Sequence, residues 1–307
     1  MLGIREIASY IPEQRISNLD RMDRFETNEE FILEKIGIEE VSIKAKDEDT
    51  SDMAVKAYNN LEKKISINKS EVQVLILITQ NPDSNIPHTS SVVHKKLELP
   101  ESCAAFDISL GCSGFVYGLS IIQSFMESNN FKKGLLFTCD PYSKVINEDD
   151  KNTSFLFGDA ATVTLITDDP VYISGKFTFG TIGKEGHNLN CDNNILFMNG
   201  RSIFNFAARY IPQDVKVLLE KNKWELDKVD KIIFHQGSKF ILDTLIRRIG
   251  IPEEKVINDI LNYGNTVSSS IPIILEKIIG DIKNKCILIS GFGVGLSWSS
   301  NLLFRNS

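Results

Sequence analysis

Three side chains able to carry nucleophilic chemistry stand far apart in this chain: the thiol of Cys112, the imidazole of His235 and the carboxamide of Asn265. Cys112 lies in "FDISLGCSGF", residues 106–115. The preceding "AAFDISL" alternates apolar and polar residues as a strand does, and the following "SGFVYGLSIIQSFMES" places Phe115, Leu119, Ile122 and Phe125 or Met126 on one helical face. The thiol is therefore expected at a strand-to-helix junction. Unpaired backbone N–H groups and the positive end of the helix dipole favour a thiolate there, the form that attacks carbonyls. Gly111 and Gly114 remove bulk that would block a substrate. A lone cysteine in such a place is equally a small core residue, so its polar company decides.

"IIFHQG" ends a strand at His235, and "LNYGNTVSSS" puts Asn265 after a glycine, just before a helix. A histidine and an asparagine beside a cysteine serve one of two chemistries. They act as base and orienting amide for hydrolysis, or they donate hydrogen bonds to a carbonyl oxygen on which negative charge develops. Asn265 alone is also an ordinary helix cap or turn residue. The third element is "SGFGVGLSW", residues 290–298, whose glycines interrupt two strands. It reads either as a plain hairpin or as a close approach of backbone N–H groups to a ligand.

The elements that must bring these residues together form a degenerate duplication. Strand candidates fall at 72–79, 104–110, 134–140 and 160–167, and again at "KIIFHQG", "KCILISGFG" and "SWSSNLLF", with helical segments between. "VQVLILITQ" corresponds to "VDKIIFHQG", and "GLLFTCD" to "CILISGFG". Near-continuous Val/Ile/Leu runs predict an α/β fold of two halves, 1–168 and 169–307, each with a sheet covered by helices. No Pro/Ser/Gly-rich linker separates them, so one fused unit is expected. In such folds ligands gather beyond the carboxyl ends of strands, where all three residues fall.

Composition narrows the function class. The 307 residues carry 42% hydrophobic and 24% charged side chains and a net charge of −7, which argues against a nucleic-acid footprint. No stretch approaches the roughly 18 uninterrupted apolar residues of a membrane span, and a cytoplasmic protein is expected. The five cysteines are scattered without a C-x-x-C pair, which suggests neither a disulfide framework nor a zinc site. His88 and His94 are spaced wrongly for one metal-binding helix face, and His187 reads as a loop residue.

"SYIPEQRISN", "FDISLGCSGFVYGL", "FGDAATV", "IIFHQG", "YGNTVSSSIP" and "GFGVGLSW" follow one another in an order that resembles the β-ketoacyl-acyl-carrier-protein synthase III family of the thiolase superfamily, over nearly the whole chain. The resemblance implies a thiolase fold of five layers, α-β-α-β-α, and a homodimer whose sheets continue across the interface. It implies that Cys112 takes an acyl group from a thioester such as acyl-CoA, with the backbone N–H groups of Cys112 and Val294 as oxyanion hole. His235 and Asn265 would hold a malonyl-acyl-carrier-protein thioester while it loses carbon dioxide, with no metal or organic cofactor. Asp159 would fix a turn near the site. Phe31, Lys35, Lys239 and Phe292 are expected at the substrate, and Ile86 at an intersubunit contact beside the acyl group.

Departures from the family pattern are visible. Val294 stands where a glycine is usual, Phe31 and Lys35 replace a tryptophan and an arginine that grip the nucleotide of coenzyme A, and Ser238 and Phe240 replace an asparagine and a docking arginine. Weaker coenzyme A handling or a different carrier protein is expected, with Lys239 meeting a phosphate. Two other functions share the same residues: transfer of the acyl group to an alcohol or amine without decarboxylation, and non-catalytic binding of an acyl thioester. A biosynthetic thiolase fits less well, because "GFGVG" lacks a second cysteine.

Overall fold

The computed structural model describes residues 1–306. Its strands are β1 (Gly3–Tyr10), β2 (Arg15–Ser17), β3 (Glu40–Ser42), β4 (Val74–Ile78), β5 (Ala104–Ile108), β6 (Lys133–Cys139), β7 (Ala161–Thr167), β8 (Tyr172–Ser174), β9 (Thr178–Thr181), β10 (Leu189–Asp192), β11 (Ile195–Met198), β12 (Lys231–Phe234), β13 (Cys286–Gly293) and β14 (Ser297–Arg305). The helices are α1 (Thr50–Glu62), α2 (Thr89–Leu97), α3 (Gly114–Ser128), α4 (Lys151–Ser154), α5 (Gly200–Asn222), α6 (Lys239–Ile249) and α7 (Ser270–Ile278).

Strand pairing repeats between the halves. β4 runs parallel to β6, and β6 antiparallel to β7; β12 runs parallel to β13, and β13 antiparallel to β14. β5 lies parallel beside β4, whereas β12 has in that place a single bridge from Ile232 to Val256. The expectation of two separate sheets needs one amendment. A short turn after β7 drops the chain onto the other edge of β1, where Gly3 pairs with Ile173 and Ile4 with Tyr172. Hydrogen bonding thereby joins both sets into one path, β12-β13-β14-β8-β1-β7-β6-β4-β5, with β9 also on β14.

The layers follow from side-chain alternation along buried strands. Leu75 and Leu77 of β4 pack with Met53, Ala57 and Leu61 of α1 and Val93 of α2. Val74, Ile76 and Ile78 point the other way, onto Phe115, Leu119 and Ile122 of α3. In the second half Ile287 and Ile289 of β13 join that same central cluster, while Leu288 faces Ile211 and Val215 of α5 and Leu242 of α6. The helices α3 and α7 therefore fill the middle layer and contact strands of both halves. The order is α1/α2, sheet, α3/α7, sheet, α5/α6, an α/β thiolase fold of five layers.

Candidate active site

Cys112, His235 and Asn265 line one cavity of about 220 Å³, together with Phe31, Lys35, Phe157, Phe240 and Phe292 among others. Each arrives by a different local device. Cys112 precedes α3, two residues before its first turn. His235 follows the last residue of β12, and its backbone N–H donates to the Ser290 carbonyl of β13 at 2.8 Å. Asn265 is pinned by the "FGD" segment: its N–H donates to the Leu156 carbonyl at 2.7 Å and its carbonyl accepts from Gly158 N–H at 3.0 Å. Gly158 is required there, because a Cβ would lie 1.8 Å from the Tyr263 carbonyl oxygen. Asp159 fixes the neighbouring turn, its carboxylate accepting from Lys44 N–H and from Ser143 N–H and Oγ.

The carboxamide and imidazole are oriented from behind. Asn265 Oδ1 accepts from the Val267 N–H at 2.9 Å, so its NH₂ group is the one left for the cavity. That contact holds Val267 at φ 53°, a left-handed conformation costly for a β-branched residue. His235 Nδ1 meets the Ser270 hydroxyl at 2.9 Å, and Phe292 stands edge-on to the ring at 5.7 Å between centroids. Burial pulls the imidazole down to about 3, a backbone hydrogen bond with Val267 opposing, so the ring is neutral near pH 7.

The thiol departs from expectation. Burial pushes Cys112 up to about 12; the N–H groups of Val294 and of Cys112 itself oppose this, and the charge of Asp140 adds to it. The helix end is present, but desolvation outweighs it and the resting group is a thiol. The same two N–H groups are the ones that the resemblance implies as an oxyanion hole. Gly293 lets the β13–β14 turn approach, since a Cβ there would sit 2.7 Å from both Cβ and Sγ of Cys112.

Other expectations divide. Phe31, Lys35 and Phe292 line the cavity; Lys239 and Ile86 do not. Lys239 instead forms an ion pair with Glu34, a residue of the π-helical turn Phe31–Ile36 that also presents Phe31 and Lys35. At the same mouth the Phe204 and Phe240 rings stack at 4.9 Å, Lys35 Nζ lies 5.2 Å over Phe240, and Lys151 Nζ lies 5.0 Å over Phe31. Ile86 is 88% exposed on the loop between β4 and α2, so within one chain it cannot reach the acyl group. The Val294 side chain packs toward Gly111 and lines a different cavity. His94 Nε2 meets the Pro100 carbonyl and His187 Nδ1 the Lys184 carbonyl, and neither lines the cavity.

Sequence reading missed the supporting groups. In the run of three serines each hydroxyl has its own partner: Ser268 donates to Asp140, Ser269 meets Thr138 Oγ1, and Ser270 meets His235. Asp140, at the end of "GLLFTCD", is fully buried and pushed up to about 7 by desolvation, against hydrogen bonds from Ser268 and from Gln80 N–H. The signal available was three consecutive hydroxyls opening an otherwise apolar helix.

A buried thiol, a neutral imidazole and an amide whose NH₂ group is left for the cavity, on a thiolase fold, define a thioester-handling class. Residues 106–183 match the family model for 3-oxoacyl-[acyl-carrier-protein (ACP)] synthase III, and residues 219–304 match its C-terminal model. The β-ketoacyl-[acyl-carrier-protein] synthase III of Streptococcus mutans is 34% identical over 320 residues, covering 97% of each chain. A crystal structure of 3-oxoacyl-(acyl-carrier-protein) synthase III superposes with a TM-score of 0.93 at 31% identity over 99% of both chains. That of the Aquifex aeolicus enzyme gives 0.92 at 32% identity, covering 99% of this chain and 100% of the other. The chain belongs to the β-ketoacyl-[acyl-carrier-protein] synthase III family and is a condensing synthase, a transferase. Among the described residues no helix is long and apolar enough to cross a membrane, and no group of three His, Cys, Asp or Glu is placed to hold a metal.

Proposed function

We propose that the chain forms 3-oxoacyl thioesters by decarboxylative Claisen condensation through an acyl-cysteine, acting in enzymatic terms as an acyltransferase. Cys112 attacks the donor thioester; its S–acyl bond forms, the carrier's S–acyl bond breaks, and the carrier leaves as a thiol with the proton. The backbone N–H groups of Cys112 and Val294 receive the developing oxyanion. A malonyl thioester then loses carbon dioxide, and the resulting enolate oxygen is held by His235 and Asn265. The enolate carbon bonds to the acyl carbon, and Cys112 is released as a thiolate that regains a proton. The protein supplies only donors, each worth about 3–4 kcal/mol when well placed.

The observation that carries this reading is the shared cavity of Cys112, His235 and Asn265, with the imidazole neutral and the amide's NH₂ group facing inward. Acyl-CoA or acyl-carrier protein is the donor and malonyl-acyl-carrier protein the extender. The Lys239–Glu34 pair and the stacked Phe204–Phe240 rings at the mouth support weaker handling of coenzyme A or a different carrier protein. Carbon dioxide release from malonyl-carrier protein, followed with intact-protein mass of the Cys112 adduct, tests the reading. An adduct with no carbon dioxide favours transfer to an alcohol or amine, and no adduct with any donor favours a binding role.

A homodimer is part of the proposal. β5 ends the sheet path with one edge unpaired and all five residues half-buried, the arrangement in which a second copy extends the ladder. The exposed Ile86 lies on the same half, where a partner can receive it. A reducing cytoplasm suits the free thiols, and the division into halves 1–168 and 169–307 falls in the turn between β7 and β8.

A further inference from the structure

A separate cavity of about 320 Å³ lies between the paired strands β2 and β3 and the segment that leads from β6 to β7. Its wall carries four cations, Arg21, Lys44, Lys46 and Lys144, against one carboxylate, Glu148, in a chain whose net charge is −7. Lys144 is neutralised by Asp49 at 2.8 Å. Among the described residues the other three form no ion pair. Arg21 donates to Asn18 Oδ1 and to the Ser154 carbonyl, and Lys44 Nζ to the Glu48 carbonyl at 2.7 Å. Lys46 has no side-chain partner. Asp49 and Asp159 act on Lys44 only through space. Arg21 Nε is buried without an acceptor, which is uncommon in a folded chain. Burial pulls this guanidinium down, the charge of Arg24 adding to it and Glu148 opposing. Phe157 alone lines both this cavity and the one that carries Cys112. No residue of β5 or of the loop with Ile86 lines it, so the sheet edge proposed to meet a second copy is not part of its wall.

We propose that this cavity is a binding site for a phosphate-bearing small molecule, whose phosphate oxygens meet Arg21, Lys44 and Lys46. Three cations without counter-ions on one concave wall call for more than one negative charge on a single ligand. A phosphate group brings that charge on three acceptor oxygens, which a guanidinium fork and two ammonium groups match, whereas a carboxylate brings one charge on two. The space exceeds a bare phosphate and falls at the lower end of the ~300–1,000 Å³ of ligand cavities, and Val41, Ile43 and Phe157 give the rest of a ligand an apolar surface. An occupant would touch the segments that set the active site. Lys44 N–H and Ser143 hold Asp159, and the same "FGD" segment holds the backbone of Asn265. The site stands apart from the reading of Cys112 as acyl carrier and does not depend on it.

The test is calorimetric titration of the full chain with inorganic phosphate, pyrophosphate and glycerol 3-phosphate, and with malonate for comparison, at an ionic strength held constant with potassium chloride. Saturable binding of at least one phosphate probe, tighter than malonate, is expected. Lys46→Glu and Arg21→Gln should each weaken it by about tenfold or more, the loss of one charge-assisted hydrogen bond. Lys46→Glu breaks no contact within the protein, and Lys44→Gln serves if Arg21→Gln does not fold. Lys35 and Lys239 stand at the mouth of the other cavity, so the double variant Lys35→Gln, Lys239→Gln should bind the same probe within about twofold of the native protein. No saturable binding of any phosphate probe overturns the inference. So does unchanged binding in the folded Lys46 and Arg21 variants, or a loss of binding in the Lys35 and Lys239 variant, which would place the anion at the mouth. Malonate bound as tightly as the phosphate probes overturns the ligand class.

Discussion

The two halves place different chemistry at matching points of the same topology. In the first, the strand β4 is followed by Gln80, which braces Tyr142 and Asp140, and the central helix α3 is preceded by Cys112. In the second, β12 is followed by His235, and α7 is preceded by Asn265. The first half thus buries a proton-holding thiol behind structural polar groups. The second presents two neutral groups whose rear atoms are satisfied by Ser270 and Val267. The architecture supplies the location twice, and in the proposed reaction the side chains divide the labour between capture of the acyl group and stabilisation of the attacking enolate.

That division is broken most directly at the sulfur. Cys112→Ala is expected to abolish the acyl adduct and all 3-oxoacyl product, while carbon dioxide release from the malonyl thioester persists, because the donors of the second half are intact. Loss of both half-reactions together would mean that the halves do not act separately. The converse comes next: His235→Ala and Asn265→Ala are each expected to slow decarboxylation by about 10²–10³-fold, the usual cost of removing one preorganised donor. Acylation of Cys112, timed by mass, falls far less. An equal fall in acylation would make His235 the base of a cysteine–histidine pair.

The protonation states sharpen the same contrast. A thiol held near 12 reacts through a thiolate fraction that grows about tenfold per pH unit. Alkylation of Cys112 by iodoacetamide should therefore climb without a plateau between about pH 7 and 9. A plateau below that range would show that the two N–H groups outweigh burial. His235 titrates near 3 when folded against 6.5 for a free histidine. Its folded form binds fewer protons than the unfolded one between those values. Its contribution to stability is complete above 6.5 and is lost as pH falls toward 3. Asp140 acts in the opposite sense: held near 7 rather than 3.8, it contributes fully below 3.8 and that contribution is lost as pH rises through 7.

What was legible in the sequence follows the same split. The buried strands were readable because two covered faces leave long Val/Ile/Leu runs, and the helix after Cys112 because its apolar spacing is regular. The three residues that share the cavity were legible as polar residues at strand and helix ends. The state of the thiol was not, since burial depends on Gly293 and Phe292 arriving from far along the chain. The ion pair of Lys239 was not legible either, because Glu34 lies 205 residues away in sequence. β1 was overlooked as a strand because its Arg5 and Glu6 interrupt the apolar pattern, although β7 and β8 pair with both its edges.

A smaller effect is expected where the halves touch. Gly293→Ala puts a methyl group 2.7 Å from Cys112 Sγ. The β13–β14 turn must shift, at a cost of about 1–3 kcal/mol for an overpacked core, and the Val294 N–H moves off the sulfur. Thermal unfolding and the rate of adduct formation should both fall. A variant that loses stability but acylates at the native rate would remove that N–H from the proposed oxyanion hole.

The smallest expected change is the most informative about His235. Ser270 Oγ lies 2.9 Å from Nδ1 and 3.1 Å from the Val267 carbonyl, and a hydroxyl has one proton to give. Given to Nδ1, it leaves the other ring nitrogen protonated, so His235 is a donor like Asn265. Given to Val267, it makes Nδ1 the protonated atom and the other nitrogen a base. The shorter contact favours the first arrangement, which is also the one that enolate stabilisation requires. Ser270→Ala should then slow decarboxylation by about five- to tenfold, the equivalent of one net hydrogen bond, with Ser270→Thr restoring most of it. Nitrogen-15 spectra should show a single tautomer in the native protein and a mixture in the alanine variant. A native spectrum with Nδ1 protonated would instead turn His235 into a base, and the chemistry of the second half would have to be rewritten around it.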